Sequence, residues 1–339
     1  MSKSMLKRIN IAAVAVIVIL TLVFGWQVLY RRLEPVDLNF VVTSWPASRL
    51  IYAVESRGLF KKYGLKVKII DVGGNYERAV EALRQGEADG GSFVLSEPLR
   101  LTAEGLPIKV VASIDYSSGA DGIVAVPDIQ SLQDLRGRRV AVPVQSFGHL
   151  LFQEALRRAA LSEDDVIIVP QEPLGAVRAF LAHRVDAVVS VEPYLSLAVA
   201  RRQSHLLFSS AETPGLISNV IAFREEYVLS HPKKVAAFLR AWFDVIDYFE
   251  HGEAERQEVM AIAAIASGVT LANLEDEFRG IELLNFAGNA IAFTYGNDIT
   301  SLYGSGERLL EFLESTGRIL KPVSVFKVLE PSFIRSGLR

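Results

Sequence analysis

The chain has 339 residues, 50% hydrophobic and 22% charged, with 36 basic residues, 39 acidic residues and no cysteine. That length buries a large core and suits about two domains, while the missing cysteine excludes disulfides, thiolate nucleophiles, cysteine metal sites and attachment through a lipidated cysteine. Five of the basic residues and none of the acidic ones fall in the first 32, so the remainder carries net −8, which excludes wrapping nucleic acid or lying flat on anionic lipid.

From Ile9 to Tyr30 no residue is charged, a run long enough to cross a bilayer. Lys3, Lys7 and Arg8 precede it, and Arg31 and Arg32 follow. With the start-methionine amine, this balance favours a cytoplasmic N-terminus. A cleaved signal peptide is the rival reading, but "FGWQVLYRRLEP" offers no small-x-small cleavage site. Residues 1–32 are expected to be a cytoplasmic N-terminus and a retained transmembrane anchor.

Beyond it, "VDLNFVVTSW" alternates and is β-branched, so it predicts a first strand ending near Trp45. "LIYAVESRGLFKKYG" predicts a helix stopped by Gly64, "LKVKIIDV" a strand, "GGNYERAVEALRQG" a helix, and "ADGGSFV" and "IKVVASI" further strands. Short apolar strands alternating with helices imply an α/β architecture with a parallel sheet covered on both faces.

The second stretch repeats this order. "RRVAVP" predicts a strand, "PVQSFGHLLFQEAL" its helix, "DVIIVP" a strand, "GAVRAFLAHR" a helix and "VDAVVSV" a strand. Ala79–Phe93 lies on Ala176–Ser190 without a gap, matching Ala79, Val80, Ala82 and Asp89 to Ala176, Val177, Ala179 and Asp186. Two similar lobes follow. From "SNVIAFREEYV" onward alternation stops, and "HPKKVAAFLRAWFDVIDYF" predicts a long helix with Pro232 near its first position. A mostly helical tail is expected to pack on the first lobe.

Ligands of open α/β sheets bind at strand C-termini and helix N-termini. Those places hold Trp45, the segment from Ser92 through Ser96 to Glu97, Asp121 in "SSGADG", the helix start Gln145–His149, and Glu192 in "VEPY". Each has a plain structural reading too. Trp45 suits a buried aromatic, Glu97 a solvated helix-start carboxylate, Asp121 a turn cap, Glu192 a helix start before Pro193, and Ser146 an N-cap. The helix near Ser146 has no acidic residue in its first turn, so its free N–H groups suit an anionic or acceptor group of a ligand. There Gly148 allows close approach, Ser146 and His149 add side-chain hydrogen bonds, and an Asp at 148 is expected to cost the free protein little. The five histidines show no i, i+4 metal pairing, and no G-x-S-x-G, Walker or G-x-G-x-x-G motif is present. No cofactor and no catalysis are expected.

"ESRGLFKKYGLKVKI", "GLPIKVVASIDYSSGADGIVA", "IQSLQDLRGRRVAV", "VDAVVSVEPYLS", "PGLISNVIAFREEY" and "PSFI" together resemble the periplasmic solute-binding proteins of ABC importers, in the group that handles nitrate, taurine, alkanesulfonates and thiamine-pyrimidine precursors. The resemblance runs from about Leu38 to Ile334. It implies a type II periplasmic-binding-protein fold: two doubly wound lobes joined by a hinge, with residues 38–118 the first part of lobe I, 119–218 lobe II and 219–339 the return to lobe I. It places Trp45, Ser96, Glu97, Asp121, Ser146, His149 and Glu192 in cleft-lining segments. The implied role is that of a monomer capturing a small solute for ABC permease subunits, facing the periplasm or exterior. Val191 stands where the family often has Trp before Glu-Pro, and the thiamine-pyrimidine synthases of the group carry cysteines that this chain lacks. An enzyme on the same scaffold and a ligand-occupancy sensor remain the rival readings.

Overall fold

Among the residues described by the computed structural model, 36–192, 194–201 and 203–338, eleven strands form two sheets. The expected anchor, residues 1–32, lies outside them, and among the described residues no single helix is long and apolar enough to cross a membrane. β1 (Leu38–Val42), β2 (Val67–Asp71), β3 (Gly90–Val94), β4 (Ile108–Ser117), β10 (Ser218–Arg224) and β11 (Ile281–Leu283) make a six-stranded sheet in the order β11-β4-β10-β3-β1-β2. β5 (Asp121–Ala125), β6 (Arg139–Val142), β7 (Ile167–Pro170), β8 (Ala187–Val191) and β9 (His205–Ser209) make a five-stranded sheet in the order β7-β6-β8-β5-β9.

The expected parallel pairing holds for β1 with β2 and β3, and for β6 with β7 and β8. It fails elsewhere. β10 is antiparallel to β3 and β4, β5 is antiparallel to β8 and β9, and β11 is antiparallel to β4. The cause is the crossing between sheets. β5 and β10 are the first strands after each crossing, so each starts where its neighbours end: Asp121 lies opposite Val191, and Asn219 opposite Val94.

The internal repeat has a local physical basis. Asp89 Oδ2 accepts the Asn39 N–H at 2.8 Å, and Asp186 Oδ2 accepts the Arg139 N–H at 2.9 Å. The return bonds match, Asp89 N–H to Asn39 O at 2.9 Å and Asp186 N–H to Arg139 O at 2.8 Å. Each Asp thus fastens the strand that it starts to the neighbour at the same level.

The tail builds most of the remaining core. Helix Pro232–His251 has 20 residues, about 30 Å of length. Its Phe238 is buried with ring centroids 4.6 Å from Phe40, 5.4 Å from Phe60 and 5.6 Å from Phe223. Those contacts lay the helix on the six-stranded sheet, because Phe40 is on β1 and Phe223 on β10.

Two connections join the sheets, 118–120 outward and 210–217 back. They lie side by side. Ser117 N–H donates to Ile217 O at 2.9 Å, the Ser117 and Ser210 hydroxyls are 2.7 Å apart, and Gly119 N–H donates to Ser210 Oγ at 2.7 Å. Gly280 braces them from the tail, its carbonyl accepting the Ser118 N–H at 2.7 Å. At φ +78° Gly280 is left-handed, and a Cβ there would collide with the backbone of Gly119 and Ala120, so glycine is required twice over.

Candidate functional site

A cavity of about 450 Å³ opens between the strand ends of the two sheets, a size suited to a small molecule. The six-stranded side contributes Trp45, Arg49, Tyr76, Ser92 and Asn219, and the five-stranded side Asp121, Ser146, Phe147, Gly148, Ser190 and Glu192. Of the eight residues expected at a site, Trp45, Asp121, Ser146, Gly148 and Glu192 therefore meet at one cavity. Ser96, Glu97 and His149 do not border it.

β1 ends at Val42, so Trp45 sits three residues past the strand, ahead of Pro46. Its indole N–H donates to Asp115 Oδ2 at 2.9 Å, and Asp115 Oδ1 accepts from Asn219 Nδ2 at 2.8 Å. Asp115 is fully buried near the end of β4, and loss of hydration pushes its pKa up to about 7 against the pull of those two donors. The carboxylate stands behind the wall and fixes one edge of each of two lining side chains.

Asp121, the first residue of β5, is buried and accepts the Ser117 hydroxyl at 2.7 Å. Burial raises its pKa to about 6, with the Ser117 bond opposing. Glu192 follows β8 and is half-buried. Its carboxylate accepts Ser196 N–H at 3.2 Å and Ser196 Oγ–H at 2.8 Å, and its own N–H donates to Ala120 O at 2.8 Å. Both carboxylates are tied on one side and keep further acceptor capacity.

Helix Phe147–Arg158 starts at the cavity with Ser146 as N-cap, yet the Ser146 hydroxyl donates back to Pro143 O and leaves the first turn uncapped. No acidic residue occupies that turn. Gly148 packs tightly: a Cβ would come within 2.8 Å of Pro143 Cγ and 3.3 Å of Val189 Cγ1. The expectation that Asp at 148 is cheap is thereby corrected, since any side chain there displaces the turn.

His149 points away from the cavity. Its Nδ1 accepts the Gln145 N–H at 3.1 Å and its Nε2 lies 2.9 Å from Glu163 Oε1. An acceptor Nδ1 leaves the proton on Nε2, which donates to Glu163. The ring also meets Phe312 edge-on at 5.4 Å. With both nitrogens engaged within the protein, His149 holds the helix start, including Gln145 at φ +61°.

Ser96 and Glu97 open helix Ser96–Ala103 below the cavity floor. Glu97 is captured by Arg100 one turn on, Nε to Oε1 at 2.7 Å. Tyr76 stands on the lining instead, its hydroxyl accepting Val94 N–H at 3.1 Å; burial and then the Glu97 charge raise the Tyr76 pKa.

Strand-end reasoning missed Arg49, Tyr76, Asn219 and Glu277. Arg49, the one cation on the lining among the described residues, pairs with Glu277 Oε2 at 2.7 Å from a helix 228 residues away. The Arg49–Glu277 pair leaves Asp121 and Glu192 as the uncompensated charges, so the lining is acidic. Ser92 lines the cavity, but its Oγ is sealed and has no hydrogen-bond partner among the described residues. Among the described residues no group of three His, Cys, Asp or Glu side chains is placed to hold a metal.

Comparison with known proteins places this geometry. The family model described as NMT1/THI5 like matches residues 45–251, from the Trp45 wall to the end of the long helix. The chain belongs to the NMT1/THI5-like family. A protein of Brucella abortus named as a binding protein is 28% identical over 252 residues, covering 72% of this chain and 75% of the relative. Among solved structures, the sulfonate-binding protein SsuA from Methylobacillus flagellatus superposes with a TM-score of 0.73 at 17% identity, over 90% of this chain and 95% of that one. The aliphatic sulphonate binding protein SsuA from Escherichia coli gives 0.70 at 19% identity, over 88% and 93%. These likenesses give the two-sheet body of this NMT1/THI5-like chain the periplasmic-binding-protein fold.

Proposed function

We propose that the chain is a solute-binding protein that captures a small polar solute between its two sheets and delivers it to the permease subunits of an ABC importer. The observation that carries this reading is the cavity itself. Both sheets supply polar groups to it, and the paired connections at Ser117–Gly119 and Ser210 offer a place to bend. The solved neighbours are named as sulfonate-binding proteins and the Brucella relative as a binding protein, which supports capture rather than turnover. The solute classes in view are sulfonate or taurine-like, nitrate-like and aminopyrimidine-like. Trp45, Asp121, the helix start Ser146–Gly148 and Glu192 are the groups that contact it.

The uncharged run Ile9–Tyr30 supports a body held at the membrane, on the outer side. A thermal-shift screen with sulfonates, amino acids, nitrate and pyrimidines tests the capture reading. A solute at about 100 times its dissociation constant adds roughly 2.7 kcal/mol, a shift of several degrees. A flat response to all four classes refutes it. Recovery of the mature protein without residues 1–32 in a soluble fraction refutes the anchor alone.

A further inference from the structure

We infer that Asp115, which does not border the cavity, is a positioning residue that fixes the wall's hydrogen-bonding polarity and selects a solute bearing N–H donors over one bearing only acceptors. This rests on the cavity being a solute site.

An ionised carboxylate only accepts hydrogen bonds, and an indole N–H only donates. Asp115 Oδ2 takes the Trp45 N–H and Oδ1 takes Asn219 Nδ2. The donating end of the Asn219 amide is therefore turned inward, and its oxygen is the free end. Among the described residues Asn219 Oδ1 accepts no hydrogen bond, yet it is not one of the sealed, unpartnered buried atoms, which are Ser92 Oγ, Arg224 Nε, Trp242 Nε1 and Ser305 Oγ. Asn219 is only 3% exposed and lines the cavity, so that oxygen's access is to the cavity. The wall thus offers an acceptor beside the face of Trp45. Asp121 and Glu192 supply acceptors opposite. The lining's cation is already paired with Glu277. An acceptor-only solute leaves these groups facing lone pairs, whereas amino or ring N–H groups satisfy them.

Asp115→Asn tests the device because it keeps shape and reverses polarity. The new Oδ1 still accepts from Trp45, but the new Nδ2 faces Asn219, whose amide turns to accept and swings its own Nδ2 toward the cavity. Titration calorimetry at pH 8, where Asp115 is ionised in the parent protein, compares 4-amino-2-methylpyrimidine with ethanesulfonate. The parent is expected to prefer the aminopyrimidine. In Asp115→Asn that affinity falls at least tenfold while ethanesulfonate gains at least tenfold. Asn219→Ala should lose the first without the second gain, a pattern that holds even if Asp115→Asn fails to fold. An unchanged preference in a folded Asp115→Asn, or unchanged aminopyrimidine affinity in Asn219→Ala, overturns the inference. A parent that prefers ethanesulfonate also overturns it and leaves solute capture standing. A parent that binds neither probe overturns it as well, and the broader solute screen then decides the fate of capture itself.

Discussion

The Ser117 hydroxyl donates to Asp121 Oδ2 at 2.7 Å across the step where the chain leaves β4 for β5. The same hydroxyl lies 2.7 Å from Ser210 Oγ, on the returning connection. One cavity carboxylate, Asp121, and both connections therefore share a hydrogen-bond network. The hydrogen-bonded connections thus end directly on a side chain that lines the cavity.

The buried carboxylates make stability depend on pH in a stated direction. Asp121 and Asp115 have folded pKa values raised to about 6 and about 7 by burial. Raised values mean that the folded state holds protons which the unfolded chain releases, so this contribution is complete below the ordinary Asp range and is lost as pH rises through 6 and 7. One unit corresponds to about 1.4 kcal/mol. Urea unfolding from pH 5 to pH 8 should show Asp121→Asn gaining on the parent protein by about 1.4 kcal/mol, the one unit between pH 5 and the folded pKa of about 6. A constant difference across that range would show that Asp121 is not desolvated.

Gly280 is an exacting position beside the outward connection. Gly280→Ala meets the backbone of Gly119 and Ala120 and also forces an L-residue to φ +78°. A loss above about 3 kcal/mol is expected. Gly317→Ala, at φ +68° with nothing within 4 Å, is the control for conformation alone and should cost about 1 kcal/mol. Equal losses in denaturant unfolding would remove the steric bracing from the argument.

How much of this the sequence revealed depends on whether an interaction is local. Asp89 and Asp186 were visible as a repeat because each sits at a fixed offset from its own helix, and each starts a strand in the same way. Trp45, Asp121 and Glu192 were found because strand ends face the cavity in this architecture. Asp115 was hidden: it reads as one of several polar residues in the strand "IKVVASIDYS", and its partners Trp45 and Asn219 are 70 and 104 residues away. Arg49 and Glu277 were hidden for the same reason. β5, β9 and β11 escaped as well. "DGIVA" is buried throughout and shows no alternation, and β11 is a three-residue strand that exists through pairing with β4. That Glu97 stands off the cavity lining had a local signal, Arg100 three residues on, which is helical ion-pair spacing.

His149 has its consequence in the frame. His149→Ala removes the acceptor for the Gln145 N–H, the donor to Glu163 and the edge contact with Phe312. Each lost hydrogen bond costs about 0.5–1.5 kcal/mol, so the melting temperature should fall by several degrees. Solute affinity should change less than in Asp121→Ala, because no His149 atom borders the cavity. A greater affinity loss in His149→Ala than in Asp121→Ala would return His149 to the ligand.

Glu277 controls the cavity's net charge. It neutralises Arg49 at 2.7 Å, with the Arg49 side chain 11% exposed and the Glu277 side chain 33% exposed. Glu277→Gln keeps a hydrogen-bond acceptor near the guanidinium but removes the compensating charge, so Arg49 becomes a free cation in the lining. Two opposed effects follow. The empty protein should lose stability, since a largely buried guanidinium without its counter-charge is costly. A bound anion restores the balance, and at about 4 Å and an effective dielectric near 20 the attraction is up to about 4 kcal/mol before desolvation. We therefore expect Glu277→Gln to bind ethanesulfonate at least tenfold more tightly than the parent, about 1.4 kcal/mol. The gain should shrink at high salt, and ethanesulfonate should recover part of the lost melting temperature. Affinity that does not change, or a gain insensitive to salt, would mean that Arg49 does not project its charge into the cavity, and the acidity of the lining would then rest on Asp121 and Glu192 alone.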